Sequence, residues 1–308
     1  MRFLITGGAG FLGSALANRL ARDGHVVHVL DDLSNGHRDY LDPAVAITQG
    51  DVNNVPLLWT LLQDIDCVYH LAARVSVAQS ILYPRDYNAV NVGGTVSLME
   101  AVRATGVRRV ILASSGAIYG EQENQPIHES DMPHPDSPYA VSKRASELYV
   151  QTIGALNGIE TVILRIFNAY GPRQSLPASH APVVPRFLYQ VLTGGSVVIF
   201  GDGSQTRDFV YVTDVVNVMV SAAANRVANG HIFNIGSGEE ISVNQLVEAM
   251  SHVTGQRVTP VYNRDKSGGV QRLVADISKA RLILGFEPHV SLTDGLRRLL
   301  KEDVRFQM

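Results

Sequence analysis

The amino terminus carries the feature that most constrains the fold: an apolar strand, a glycine-rich turn and a helical pattern follow one another without a break. The apolar run 2–6 leads into Gly7, Gly10 and Gly13, and leucines at helical spacing come next. Glycines at these positions allow a tight turn, close approach of the backbone to a pyrophosphate, and close packing of the helix on the strand. The helix N-terminus offers unpaired N–H groups to phosphate oxygens. The pattern therefore predicts a dinucleotide-binding unit.

An acid lies where such a unit needs one. A second apolar run, 26–30, ends in Asp31 and Asp32, about twenty residues beyond the glycine turn. A carboxylate at this point accepts a hydrogen bond from a free ribose 2′-hydroxyl and repels a 2′-phosphate. We therefore predict NAD as the cofactor, in preference to NADP.

Apolar runs of strand length alternate with helical patterns through the first half of the chain. The predicted strands lie near 2–6, 26–30, 45–49, 66–71, 109–113 and 160–165, and the predicted helices near 11–23, 54–63, 86–105 and 138–157. This alternation predicts an α/β fold in which residues 1–170 form a doubly wound, Rossmann-like parallel sheet that binds NAD.

The pattern changes after residue 170. Loops rich in Pro and Gly separate shorter elements, with helices predicted near 184–193, 212–224, 242–254 and 291–302. We predict that residues 171–308 form mainly a smaller C-terminal α/β substrate lobe, and that later segments also return strands and helices to the first sheet. A ligand cleft is expected between the two, at the carboxyl ends of the strands.

Composition narrows the class of function. The net charge of the 308 residues is −3 and no block of Lys and Arg stands out, so we predict no nucleic-acid partner and no membrane partner. The single cysteine, Cys67, lies in an apolar run, and the histidines lack ligand spacing, so we predict neither a disulfide framework nor a metal site. No signal peptide or membrane span is apparent, and we predict a cytoplasmic protein.

A phenol and an ammonium lie one helical turn apart in the run 137–143. Tyr139 and Lys143 are four residues apart, so they share one face of the predicted helix. A nearby cation favours the phenolate and lowers the tyrosine pKa from its ordinary value of about 10. The pair can therefore move a proton to or from a substrate hydroxyl. From spacing alone, the alternative is a chance pair on a solvated helix face.

Strand ends supply further candidates. The fifth strand runs into Ser114 and Ser115, and a serine here can share a substrate oxygen with Tyr139. For Ser114 a serine-rich turn is the simpler interpretation. Residues that could line a dinucleotide at other strand ends and in the next helix are Asp51, Val52, Leu71, Ala72, Ala73 and Asn91.

Together these motifs resemble the extended short-chain dehydrogenase/reductases of the NAD-dependent epimerase/dehydratase family, and within it the UDP-sugar 4-epimerases, over essentially the whole chain. The matching motifs are 6–13, 31–32, 70–73, 114–120, 139–143, 164–172 and 201–210. The resemblance implies that Ser115, Tyr139 and Lys143 form a catalytic trio, with Lys143 also bonding the nicotinamide ribose. The residues it implies as NAD contacts are Phe11, Leu12, Asp31, Asn35, Asp51, Val52, Asn91 and Phe167.

The two residues that follow Ser115 differ between the reaction classes of this family. By resemblance, 4,6-dehydratases carry an Asp-Glu pair there and decarboxylases usually a glutamate at the second position, whereas this chain has Gly116 and Ala117. Neither titrates, so elimination has no acid–base group at this point. We therefore predict epimerisation of a UDP-hexose, UDP-glucose to UDP-galactose and back, through a 4-keto intermediate with Tyr139 as the base.

The resemblance places the nucleotide diphosphate on the second half of the chain. Arg207 matches the family's diphosphate arginine, and its alternative is a salt bridge to Asp208 or Asp202. Lys266 stands where a second phosphate arginine is expected, with Arg264 or Arg272 as candidates to compensate. The other implied substrate contacts are Ser115, Tyr139, Asn168, Val198, Phe200 and Leu273.

Several alternatives remain open at this level. Leu273 matches a gate position where a large aromatic residue excludes N-acetylated sugars, and leucine is intermediate, so activity on the N-acetyl forms is a further expectation. Another nucleotide-sugar epimerase, such as a UDP-glucuronate 4-epimerase, or a nucleotide-sugar reductase would share the trio. A non-catalytic NAD-sensing protein would normally lack Tyr139 or Lys143. The resemblance also implies a homodimer formed through the helices near 86–105 and 138–157.

Overall fold

The glycine turn follows an interior strand of a parallel sheet. The computed structural model describes residues 1–177, 181–266 and 268–307. Its strands are β1 (Arg2–Thr6), β2 (Val26–Asp31), β3 (Ala46–Gln49), β4 (Cys67–His70), β5 (Arg109–Ser115), β6 (Glu160–Ile166), β7 (Asn168–Tyr170), β8 (Val198–Phe200), β9 (Thr206–Arg207), β10 (Phe209–Tyr211), β11 (Ile232–Ile235), β12 (Ile241–Ser242), β13 (Val261–Asn263) and β14 (Arg272–Leu273).

Helices cover the sheet and continue through the second half. They are α1 (Phe11–Arg22), α2 (Val55–Leu61), α3 (Val77–Leu82), α4 (Pro84–Tyr87), α5 (Gly94–Thr105), α6 (Pro138–Asn157), α7 (Val183–Leu192), α8 (Val212–Ala224), α9 (Val243–Thr254), α10 (Ser278–Leu284) and α11 (Leu292–Glu302). Short 3₁₀ turns occur at Arg38–Tyr40, Gly116–Tyr119, Arg226–Ala228 and Val304–Phe306.

The central sheet has seven strands in the order β11-β6-β5-β4-β1-β2-β3, all parallel. The chain runs from β1 outward to β3, then returns to β4 and proceeds to the opposite edge. The winding direction therefore reverses between β1 and β4, which is the point where open α/β sheets bind ligands at their carboxyl ends. The predicted doubly wound, Rossmann-like sheet is confirmed.

Buried side chains alternate between two cores, one on each face of the sheet. Along β1, Phe3 and Ile5 join one core while Leu4 joins the other. Helices α1 and α8 contribute to the first core, and α2, α5 and α6 contribute to the second. Because both faces are covered, the inner strands are apolar almost throughout, as parallel sheets require.

The second half forms small sheets and also completes the large one. Strand β7 pairs with β10, β8 pairs with β13, and β9 lies between β12 and β14. Strand β11, in contrast, pairs with β6 at the edge of the central sheet, with Phe233 opposite Leu164. It is a strand return of the kind predicted from the sequence. The division of the chain at residue 170 stays a prediction.

The helix predicted near 86–105 is present, but its hydrogen-bonding pattern changes along its length. A π-helical stretch, Asn88–Gly93, separates α4 from α5. At Gly94 an added Cβ would lie 2.4 Å from Cγ1 of Val52, so only glycine permits this close packing. π-helical turns inside helices often occur at functional sites. None of the helices in the described part of the chain has the length and apolar character needed to span a bilayer.

Candidate active site

Glycines in the first loop fit a ligand that approaches the backbone closely. Gly7 has a φ of 70°, and an added Cβ would lie 2.6 Å from the amide nitrogen of Ala72. At Gly13 an added Cβ would lie 2.2 Å from the carbonyl oxygen of Gly7. Gly10, which caps α1, is different, because its nearest neighbour would be that same oxygen at 3.4 Å. Packing thus requires glycine at 7 and 13, whereas the space beside Gly10 is open to a ligand.

The acid after β2 lies directly beside this loop. One oxygen of Asp31 accepts a hydrogen bond from the backbone N–H of Ala9 at 2.9 Å, and the other accepts from Leu33 at 2.9 Å. Burial raises the pKa of Asp31, and these two hydrogen bonds oppose that effect. Asp32 is exposed and accepts instead from the backbone and hydroxyl of Ser34. Of the two predicted acids, the structure brings only Asp31 to the glycine loop.

Strand β4 ends in a buried histidine that connects three elements. The two ring nitrogens of His70 lie 2.7 Å from Oγ1 of Thr6 and 2.9 Å from Oγ1 of Thr95. Burial, with a smaller effect from the charge of Lys143, lowers the pKa of His70 to about 3. The ring is therefore neutral at ordinary pH and orients the strand end. The residues that follow it, Leu71, Ala72 and Ala73, are all partly exposed.

The other predicted cofactor residues have different surroundings. Asn91 is buried, and its side chain bonds the backbone of Arg74 and the hydroxyl of Ser142. It therefore connects the loop after β4 to α6. Asn35 is exposed, Asp51 is exposed and accepts two hydrogen bonds from Asn53, and Val52 is buried. Their contacts with NAD stay predictions.

Tyr139 and Lys143 lie in the first turns of α6, as the spacing predicts. The helix begins with Pro138 at its first position, and the hydroxyl of Ser137 caps it by accepting from the N–H of Ala140 at 3.3 Å. Both functional side chains are buried, with exposed fractions of 8% for Tyr139 and 5% for Lys143. The solvated-face alternative is thereby excluded.

The pKa of the tyrosine differs from the expectation. Burial raises the pKa of Tyr139 above 10.0, a hydrogen bond with Ser115 lowers it, and Tyr87 adds a smaller increase. Burial also lowers the pKa of Lys143 from 10.5 to about 8, against the charge of Glu147. The predicted lowering of the tyrosine pKa by its lysine neighbour is therefore contradicted, because burial raises that pKa and the opposing effect comes from Ser115.

The serine and the aromatic residue of the predicted site lie on adjacent strand ends. Ser115 ends β5, and its hydroxyl accepts from the N–H of Ala117 at 3.2 Å while also bonding Tyr139. Phe167 follows β6 and packs on Gly116, where an added Cβ would lie 3.0 Å from the aromatic ring. A side chain at position 116 would therefore require the Phe167 ring to move by a few tenths of an ångström.

Two of the predicted substrate residues, Asn168 and Leu273, lie beside Asp208. The backbone N–H of Asn168 donates to the Asp208 carbonyl at 3.0 Å, and the Asp208 N–H donates to the Leu273 carbonyl at 3.1 Å. The Asp208 carboxylate accepts from Ser237, Gly238 and Ala275. Asp208 thus joins three segments, a role that the sequence analysis did not foresee.

Arg207 forms a salt bridge with neither Asp208 nor Asp202, the two alternatives given above. Its guanidinium donates to the carbonyls of Thr206 at 2.6 Å and Gly268 at 3.2 Å, and within the described ranges it pairs with no carboxylate. Burial lowers its pKa, although the charges of Glu121 and Asp136 oppose this. A half-buried cation that pairs with no carboxylate in the described ranges suits a site for phosphate.

The remaining substrate candidates lie near this arginine. Phe200 ends β8, with Val198 at its start, and Lys266 places its ammonium 5.3 Å from the centre of the Phe200 ring. Arg272 forms a bidentate ion pair with Glu240 and is engaged there. Across residues 1–177, 181–266 and 268–307, no three His, Cys, Asp or Glu side chains form a group that could hold a metal ion.

Comparisons with known proteins agree on one family. Residues 3–236 match the model of the NAD dependent epimerase/dehydratase family. A UDP-glucose 4-epimerase of Mycolicibacterium smegmatis is 39% identical over 309 residues, covering 98% of each chain. The crystal structure of a UDP-glucose 4-epimerase from Thermotoga maritima with UDP-glucose superposes with a TM-score of 0.94, at 37% identity and 98% coverage of both chains. A UDP-N-acetylglucosamine 4-epimerase from Methanobrevibacter ruminantium, in complex with UDP-N-acetylmuramic acid, gives 0.92 at 34% identity and 97% coverage of both.

Proposed function

Because the chain belongs to the NAD-dependent epimerase/dehydratase family, we propose that it is a nucleotide-sugar epimerase that interconverts UDP-glucose and UDP-galactose. The observation that carries the reaction type is the neighbourhood of Ser115. Tyr139 bonds that serine, while neither Gly116, which packs against the Phe167 ring, nor Ala117 has a titratable group. Tyr139 is then the one proton-transfer group at this position, which supports redox at a single carbon and not elimination.

The amino-terminal loop supports NAD as the cofactor. When bound, NAD supplies an acceptor and donor for one hydride. Gly10 leaves room beside the first turn of α1, whose free N–H groups suit a pyrophosphate, and Asp31 suits a ribose hydroxyl. We assign the nicotinamide ribose to Lys143 and the nicotinamide side of the site to Phe167.

Proton transfer is assigned to the tyrosine. The phenolic oxygen of Tyr139 takes the proton of the 4-hydroxyl as the sugar is oxidised, and returns it to the same oxygen when the other face of C4 is reduced. Ser115 positions the sugar 4-oxygen by a hydrogen bond. Lys143 stabilises the phenolate by its positive charge, which requires that the buried amine keep its proton.

The second half is assigned to the nucleotide. Arg207 binds the diphosphate, with Asn168 beside it and Lys266 as a further cation, while Val198 and Phe200 enclose the base. A second activity, on UDP-N-acetylhexosamines, is favoured by Leu273, which is smaller than an aromatic residue at this buried position. The Methanobrevibacter structure, named for such a substrate, supports testing it.

A homodimer is also proposed. Helices α5 and α6 pack side by side. On α6, Val141, Leu148 and Tyr149 repeat at helical spacing, yet each is at least 44% exposed. A second copy packing α5 and α6 against the same helices would cover this stripe. Sedimentation of the wild type and of Leu148→Asp tests the proposal, and a monomeric wild type contradicts it.

A panel of UDP-, dTDP- and GDP-sugars, with products separated by chromatography, tests the reaction. UDP-galactose should give UDP-glucose without net consumption of NAD. Tyr139→Phe should abolish turnover while NAD still binds. Failure to convert UDP-galactose while another nucleotide sugar, such as a UDP-uronate, turns over refutes the substrate assignment. Stoichiometric oxidation of a reduced cofactor indicates a reductase instead.

A further inference from the structure

A buried glutamate continues the functional face of α6. Glu147 lies one helical turn beyond Lys143, as Lys143 lies one turn beyond Tyr139. Its side chain has an exposed fraction of 0%, which is unusual for a glutamate on a helix that covers a sheet. The reaction scheme above gives this residue no role.

The Glu147 carboxylate accepts four hydrogen bonds. One oxygen accepts from the Ser114 hydroxyl at 2.6 Å and from Nε of Arg165 at 3.0 Å. The other accepts from Nη2 of Arg165 at 2.9 Å and from Nη1 of Arg144 at 2.9 Å. Three of the four donors belong to guanidinium groups, so the buried carboxylate lies in a charge-assisted hydrogen-bond network.

These partners connect the catalytic helix to two strand ends. Ser114 immediately precedes Ser115 on β5, and Arg165 lies on β6 two residues before Phe167. Arg165 continues the network by donating to the Tyr119 hydroxyl at 2.7 Å, which in turn donates to Asn234 of β11 at 2.7 Å. Glu147 therefore contacts the neighbours of the site without reaching the space of the substrate.

The same carboxylate is the negative charge that acts on Lys143. Near that ammonium, His70 of β4 is neutral. Tyr139 lies on the same helix, and the ring of Tyr87 from α4 packs against the Tyr139 ring. Arg165 of β6 forms an ion pair with Glu147. Burial lowers the pKa of Lys143 to about 8, and the charge of Glu147 raises it. Among the described residues the two side chains form no direct ion pair, so the effect acts through space.

We propose that Glu147 is a positioning residue for proton transfer: it keeps Lys143 protonated and ties α6 to the strand end that bears Ser115. The role rests on the proposed function of Tyr139 and Lys143. It differs from that of a purely structural ion pair, because an apolar pair of the same volume could hold helix and strands together equally well. Only a negative charge, however, favours the protonated form of Lys143.

Direct titration of Lys143 tests the charge. The chain has four lysines, so protein labelled with ¹³Cε-lysine gives few side-chain signals, and Lys143→Met identifies the one required. In Glu147→Gln the shape is kept and the charge is lost. We expect the titration midpoint of Lys143 to fall by about one pH unit. The high-pH limb of kcat/KM should move down by the same amount, with near wild-type rates where Lys143 is fully protonated.

Two further variants keep the test decisive. Glu160→Gln removes another ion-paired glutamate, which bonds Arg109 at the opposite end of β5 and β6, and it should leave the Lys143 midpoint unchanged. Arg144→Gln removes a partly exposed cation from Glu147, so the midpoint should rise even if Glu147→Gln does not fold. An unmoved midpoint in folded Glu147→Gln, or a fall in Arg144→Gln, overturns the proposal. Because the titration needs no substrate, its outcome is separate from that of the reaction assignment.

Discussion

Replacing Gly13 and Gly10 in turn separates two reasons for glycine in the first loop. In Gly13→Ala the new Cβ would lie 2.2 Å from the Gly7 carbonyl oxygen and 2.6 Å from Cα of Gly8. Relief requires a shift of the loop, which strains the 3.3 Å hydrogen bond from the Gly10 N–H to the same oxygen. Overpacking costs about 1–3 kcal/mol and the lost hydrogen bond about 1, while alanine regains up to about 1 in a helix. We expect a net loss of about 1–3 kcal/mol of unfolding free energy.

Gly10→Ser is the matched change on the open side of the same loop. The backbone of Gly10 has a φ of −79°, which any residue adopts, and serine is a slightly better helix cap than glycine. Stability should therefore remain within about 0.5 kcal/mol of the wild type. The serine side chain, however, would occupy the space assigned to the pyrophosphate, so NAD affinity should fall at least about tenfold.

Urea unfolding followed by the fluorescence of the single tryptophan, Trp59, measures stability, and calorimetric titration with NAD measures affinity. The expected pattern is a loss of stability in Gly13→Ala and a loss of affinity alone in Gly10→Ser. A Gly10→Ser protein that binds NAD as tightly as the wild type refutes the placement of the dinucleotide. A fully stable Gly13→Ala protein refutes the packing argument.

Four other outcomes are expected. Tyr139→Phe should lower kcat by at least about 10³-fold with NAD affinity unchanged, as isothermal titration would report. Arg207→Gln should raise KM for UDP-sugars more than it lowers kcat in steady-state kinetics, because it removes binding and not proton transfer. Gly116→Asp should lose about 1–3 kcal/mol of stability in urea because the Phe167 ring is in the way, and should not gain dehydratase activity. The pKa of Lys143 is about 8 in the folded protein and 10.5 in the unfolded chain. Its contribution to the free energy of unfolding should therefore rise with pH between about 8 and 10, by up to about 1.4 kcal/mol per pH unit. Urea unfolding of the wild type and of Lys143→Met across that range should show this difference in slope, and equal slopes contradict the burial argument.

Local pattern was sufficient to predict the first half of the fold. The glycine loop, the alternating apolar runs and the pair Tyr139 and Lys143 are features of sequence neighbours, and the structure places them as predicted. The sequence did not predict the position of strand β11, because a segment of four residues shows little periodicity. Its place in the sheet is set by pairing with the edge of β6, which is distant in sequence. The close packing of Gly94 on Val52 joins residues that are distant in sequence, so local pattern could not predict it.

Within the site, burial was the quantity that the sequence could not supply. The spacing places Lys143 beside Tyr139 but gives no measure of their loss of water, which raises the tyrosine pKa instead of lowering it. The resemblance implies Asn91 as an NAD contact, which stays a prediction, and its hydrogen bonds to Arg74 and Ser142 could not be foreseen from the sequence. Glu147 was not among the predicted site residues, although its separation of four residues from Lys143 was a usable signal.

Strand β11 also makes the order of synthesis important for solubility. A chain emerging from the ribosome completes β1 to β6 first, and β6 then presents an apolar edge with unpaired N–H and C=O groups until residues 232–235 are made. Such an edge is a template for pairing with another chain. A fragment ending at residue 170 should therefore aggregate, and the nascent protein should depend on holding chaperones until its last central strand is in place.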